Sequence, residues 1–129
     1  MSQLDDVKKA FEAAIWAFNG ARGANNYDAL LPYLAADIVM KRVRGSESVT
    51  GNYNVIEYLN SSQVGKWPMV EYPEPETHTY VAGNYGAVTC PKGTYTDSSG
   101  TLNVQVAFCF KYDAAHGKWL VANANCTPN

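Results

Sequence analysis

Charge is scarce in this sequence. Ten Lys and Arg face twelve Asp and Glu across 129 residues, so only 17% of the chain is charged and the net charge is −2. An average soluble protein carries roughly 25%. Non-specific affinity for phosphate backbones comes from clustered Lys and Arg, and the lack of such a surplus excludes nucleic acid as a default partner. No apolar run approaches the roughly 18 residues needed to span a bilayer, so no membrane segment is expected. The opening Met1-Ser2-Gln3-Leu4-Asp5-Asp6 has no basic stretch and no apolar core of a secretory signal. These absences together give a cytoplasmic reading. Histidine is limited to His78 and His116, and the three cysteines, Cys90, Cys109 and Cys126, form no Cys-x-x-Cys or His-linked spacing. No metal or other cofactor is therefore expected. The thiols read as small buried hydrophobes in a reducing compartment, since a catalytic thiol needs a neighbouring base.

Rings, by contrast, are plentiful: nine Tyr, four Phe and three Trp, or 12% of the chain. They either fill a core or line a hole. The length suits one domain, residues 1–129, able to bury a core without disulfides.

The first part of the chain has helical spacing. Leu4, Val7, Phe11, Ala14, Ile15 and Phe18 recur at three- and four-residue steps, with Ser2 and Asp5 as a capping pair and Asn19-Gly20 as the stop. Asn25-Asn26 caps a second helix over Tyr27 to Ala36, in which Pro32 removes an amide donor and predicts a kinked or partly 3₁₀ segment. Ile38 to Val43 is a short strand, and Asn52 to Ser61 a third helix with Val55, Ile56 and Leu59 inward and Tyr58 at its flank. After the break at Gly65-Lys66-Trp67-Pro68 the period changes to two. Thr77 to Ala82, Gly86 to Asp97, Thr101 to Asp113 and Lys118 to Cys126 are strand candidates joined by short turns, which makes an antiparallel meander. Pro91 cannot donate to a ladder and predicts a bulge. In the longest strand Leu102, Val104, Val106, Phe108, Phe110 and Tyr112 share the face that meets the helices. The opposite face is mixed, suited to a sheet-to-sheet contact. The fold class is α+β, a bent sheet wrapped around three N-terminal helices.

Several strings then look familiar. Leu34-Ala35-Ala36-Asp37, Gly45-Ser46-Glu47, Gly51, Ile56-Glu57-Tyr58-Leu59 and Gly117-Lys118-Trp119 resemble scaffold segments of the nuclear transport factor 2-like superfamily, in particular its SnoaL-like and ketosteroid isomerase-like small members. The resemblance implies a cone-shaped α+β barrel of cystatin-like type, open at one end into an apolar pocket and commonly a homodimer through the outer sheet face. Ketosteroid isomerase chemistry needs an Asp base and an oxyanion hole of Tyr plus a protonated acid. Those positions fall on Arg42, Ala14 and Phe108, none of which can take the role. The last strand, Trp119 to Cys126, carries no Asp, Glu or His for cyclase-like chemistry. No catalytic residue is assigned.

The candidate ligand-contacting residues are Arg42, Tyr58, Trp67, Phe108 and Phe18. Arg42 reads either as a salt bridge to Asp37, Glu47 or Glu57, or as a bidentate clamp for an anion. Phe18 and Phe108 read as core or as pocket wall, and Trp67 as a rim residue. Asn123 and Asn125 share one face of the last strand, at the surface or a dimer contact. Three functions compete: a dimeric pocket protein for a small apolar or aromatic, in one version anionic, ligand; an enzyme that recruits Asp37, Glu57 or His78 as its base; and a dimerising interaction module.

Overall fold

A computed structural model describes residues 2–41, 48–61, 67–71, 75–97 and 99–128. Helix α1 runs from Gln3 to Ala24 and a 3₁₀ turn from Asp28 to Tyr33. Strands β1 (Leu34–Lys41) and β2 (Ser48–Thr50) precede helix α2 (Asn52–Asn60). The remaining strands are β3 (Met69–Val70), β4 (His78–Ala82), β5 (Tyr85–Asp97), β6 (Gly100–Asp113) and β7 (Lys118–Pro128). Among the described residues they form one sheet in the order β2-β1-β7-β6-β5-β3, with β4 also paired to β5.

Ser2 caps α1 by accepting a hydrogen bond from the Asp5 amide at 3.2 Å, and Asp5 and Asp6 face the positive end of the helix dipole. The helix does not stop at Asn19-Gly20. It continues to Ala24 and ends at Asn25, whose φ of 55° lies in the left-handed region Asn tolerates. An interior glycine costs about 1 kcal/mol, and the burial of Phe18 and Ala21 on the same face outweighs it. The second helix is shorter than its capping signals suggest. Pro32 limits it to a 3₁₀ turn, and the chain enters β1 at Leu34, four residues before the expected strand.

β4 to β7 form the expected antiparallel meander. β1 departs from it by pairing with β7 in parallel, so the sheet is mixed. A parallel partner requires a long crossover, and nearly the whole chain between β1 and β7 supplies it. Pro91 falls where the β5–β6 register slips between Cys90 and Gly93, so the missing amide does bend the sheet. The face of β6 carrying Val104, Val106, Phe108 and Phe110 is buried against Val7, Phe11, Ile15 and Phe18 of α1. Tyr112, at its end, is 40% exposed.

Candidate functional site

The concave side of the sheet is filled by rings. Phe108 stands at the centre, with ring centroids 5.7 Å from Phe11, 5.1 Å from Phe18, 6.0 Å from Trp67 and 6.2 Å from Phe110. Trp67 also meets Phe18 at 5.6 Å, and these tilted and edge-on arrangements suit the ring quadrupoles. Thus Phe18, Trp67 and Phe108 come together in one cluster. Trp67 is only 3% exposed, so it lies inside the cluster rather than on a rim. Tyr58 is half-buried on α2 and packs against the edge of the same core. Arg42 lies outside the described residues, as does Glu47.

Trp67 is held from the 3₁₀ side of the molecule. Its amide donates to the Tyr27 hydroxyl at 3.0 Å, the Tyr27 amide donates to Asn60 Oδ1 at 2.8 Å, and Asn60 Nδ2 donates to Asp28 Oδ1 at 2.8 Å. Burial raises the Tyr27 hydroxyl above its ordinary pKa of 10.0, against the opposing pull of the Trp67 amide. Asn19 anchors the next segment: its side-chain amide donates to the Val70 carbonyl at 3.2 Å and accepts from the Val70 amide at 3.4 Å. A side chain of α1 thereby satisfies the outer edge of β3. The Trp67 indole Nε1 is buried with no acceptor among the described residues. A buried donor left unpaired costs about 1–3 kcal/mol.

No charged or strongly polar residue is buried among the described residues. Asp37 is exposed and accepts from Lys111 Nζ at 2.6 Å, an interaction that holds its carboxyl below the usual range. Glu57 and His78 are exposed, and His116 binds Asp113 at 2.6 Å in the β6–β7 turn. Asp37, Glu57 and His78 therefore occupy no common enclosed space. No group of three metal-binding side chains occurs among the described residues, and no helix there is long and apolar enough to cross a membrane.

No known family profile matches the chain, and no curated protein matches it in sequence. Solved structures do match in shape. A ketosteroid isomerase-like protein from Erwinia carotovora atroseptica aligns with TM-score 0.68 at 17% identity, covering 98% of this chain and 96% of its own. An NTF2-like protein from Cytophaga hutchinsonii gives 0.66 at 18%, covering 100% of both chains. A protein with a cystatin-like fold from Novosphingobium aromaticivorans, also called NTF2-like, gives 0.70 at 12%, covering 97% of this chain and 82% of its own. The chain has the nuclear transport factor 2-like fold.

Within the nuclear transport factor 2-like fold, two of the three positions that the resemblance links to ketosteroid isomerase chemistry have a plain structural role here. Ala14 and Phe108 are both fully buried in the aromatic core. A methyl group and a phenyl ring there contribute packing, and neither can donate to an enolate.

The outer face of the sheet is distinct. Ala87, Ala107, Cys109, Ala122, Asn123 and Asn125 are half-buried on it, and Asn125 Nδ2 donates to Asn123 Oδ1 at 3.0 Å. Tyr80 and Tyr85 stand beside them, 59% and 67% exposed, around a shallow apolar depression of about 360 Å³.

The thiols follow burial. Cys90 and Cys126 are buried and Cys109 is half-buried on the outer face. Burial pushes the Cys126 thiol up to about 12, with Lys41 pulling weakly the other way. The folded chain therefore holds this proton more tightly than the unfolded chain, whose ordinary value is 9.0. That contribution to stability is intact below pH 9 and declines as pH rises towards about 12. Urea unfolding across pH 8 to 10.5 is expected to show a falling midpoint, and Cys126→Ala a shallower fall. Identical slopes in the two proteins would remove Cys126 from the account.

Sequence reasoning missed Tyr27, Tyr33 and Trp119. The apolar alternation that ends at Tyr112, together with the turn before Trp119, carried a signal for the last of these. Tyr112 pairs directly with Trp119 across the β6–β7 hairpin. The other two depend on where the 3₁₀ turn packs, which has no local signature.

Proposed function

We propose that residues 1–129 act as a single cytoplasmic binding domain, homodimeric through the outer sheet face, that takes a small apolar or aromatic ligand beside Trp67, where the packed rings must part to admit it, without ketosteroid isomerase chemistry. One observation carries the reading: a buried indole N–H with no acceptor among the described residues, set among Phe18, Phe108 and Phe11. Such a donor is best satisfied by an acceptor atom on an otherwise apolar guest, with the rings supplying contact area. Tyr58 stands as a flanking contact, and Arg42 as the residue that would select an anionic variant of the ligand. The lack of buried carboxylates or imidazoles among the described residues favours binding over proton transfer. The shallow apolar depression between Tyr80 and Tyr85 supports the dimer reading.

The test uses 2-acetonaphthone, a flat apolar ring system with one carbonyl acceptor. Saturable binding by calorimetry is expected, weakened about fivefold to tenfold by Trp67→Phe. No binding, or equal binding by the variant, would overturn the ligand site. Sedimentation velocity is expected to show a dimer for the parent chain and a monomer for Ala87→Arg; a monomeric parent would overturn the dimer.

A further inference from the structure

A second concavity lies away from the ring cluster, at the β6–β7 hairpin end of the molecule. It encloses about 560 Å³, within the range of small-molecule sites. The helix wall is the stripe Asp6, Lys9, Ala10 and Ala13 of α1, which three- and four-residue spacing places on one face. Ala10 and Ala13 present only methyl groups, and that lack of bulk is what leaves the space open. The other walls are rings. Tyr112 and Trp119 form a tilted pair with centroids 5.4 Å apart, and Tyr33 projects from the end of the 3₁₀ turn beside Pro32. These rings are not fully consumed by the core: Tyr112 is 40% exposed, and Tyr33 and Trp119 are half-buried.

Charge decides what such a space prefers. The chain as a whole is at −2, yet the residues that line the cleft include two lysines, Lys9 and Lys118, and one acid, Asp6. Lys118 and Trp119, consecutive at the start of β7, both line the cleft. Asp6 lies in the first turn of α1, where the helix dipole favours a negative side chain for reasons unrelated to a guest. Three rings would also suit an organic cation, but two lysines at the rim oppose it.

We infer that this cleft is a binding site for a planar aromatic carboxylate, its ring laid against Tyr112, Trp119 and Tyr33 and its carboxylate directed to Lys118 and Lys9. The guest supplies the flat apolar face that the half-exposed rings lack, and its charge suits the lysines among the lining residues. The site is separate from the Trp67 cluster and does not depend on the reading given for it.

The probes are 2-naphthoate and its neutral isostere 2-naphthamide, measured by calorimetry on the full chain. Naphthoate is expected to bind about tenfold or more tightly than the amide, and Lys118→Glu to abolish that difference. Asp6→Asn is expected to strengthen naphthoate binding a few-fold by removing the opposing charge. Ala13→Phe, at an exposed helix position that keeps the fold, fills the cleft and is expected to eliminate naphthoate binding with an unchanged thermal midpoint. Equal affinity for the two probes, or full naphthoate binding by Ala13→Phe, would overturn the site. Loss of naphthoate binding in Trp67→Phe with retention in Ala13→Phe would place the guest in the ring cluster instead, and would equally overturn it.

Discussion

Phe108→Ala is expected to lower stability by about 3–5 kcal/mol, the range for deleting a fully buried Phe whose neighbours cannot collapse into the gap. Phe108 is fully buried and touches Phe11 and Phe18 of α1, Phe110 of its own strand, and Trp67. The substitution therefore weakens the contact between α1 and the sheet together with the seat of Trp67. For a domain of this size the loss corresponds to a fall in thermal midpoint of roughly 10 °C or more. Urea and thermal unfolding, followed by circular dichroism, measure it. Phe108→Leu, which keeps most of the volume, is expected to cost less than half as much. A loss below about 1 kcal/mol would mean that the interior around Phe108 is a loose cavity rather than a packed core, because removing a ring from an open space forfeits few contacts.

Gly86→Ala carries the second large effect. Gly86 lies on β5 directly under the first half of α1. A Cβ at this position would sit 2.8 Å from Val7 Cγ2 and 3.0 Å from Cγ1. Replacing glycine inside a strand ordinarily gains about 0.5–1 kcal/mol of backbone entropy. Here overpacking of about 1–3 kcal/mol opposes that gain and wins. Val7 cannot swing away, since its β-branched side chain has one strongly preferred rotamer in a helix and it is fully buried. The helix itself must lift. Val7→Ala removes both clashing methyl groups, so the double variant is expected to be less destabilised than the sum of the two single ones, by about 1 kcal/mol. Strict additivity in denaturant titrations would show that α1 does not rest on β5 at this point.

Much of the local architecture is written in short stretches of the chain. Ser2 and the acidic first turn start α1, and the three- and four-residue spacing of Val7, Phe11, Ile15 and Phe18 selects its buried face. Alternation along β6 assigns Val104, Val106, Phe108 and Phe110 to the concave side, and Pro91 marks the bulge in β5. These follow from interactions among near neighbours. The errors also have physical causes. Asn19-Gly20 has the composition of a helix stop, yet the burial of Ala21 carries the helix through it, and Asn19 instead serves β3. Trp67 beside Pro68 has the composition of an exposed loop, yet Tyr27 and Phe18 draw it inside.

What the sequence determined by itself is the start and buried face of α1, the antiparallel pairing of β4 to β7 and the bulge in β5. Only the tertiary structure decided that β1 runs parallel to β7, that Trp67 joins Phe18 and Phe108 with its indole N–H unpaired among the described residues, and that Tyr33, Tyr112 and Trp119 surround an open cleft against α1. Each of these brings together residues far apart in the chain. Contacts of that kind leave no periodicity behind, because their energy is gained only when the distant surfaces meet.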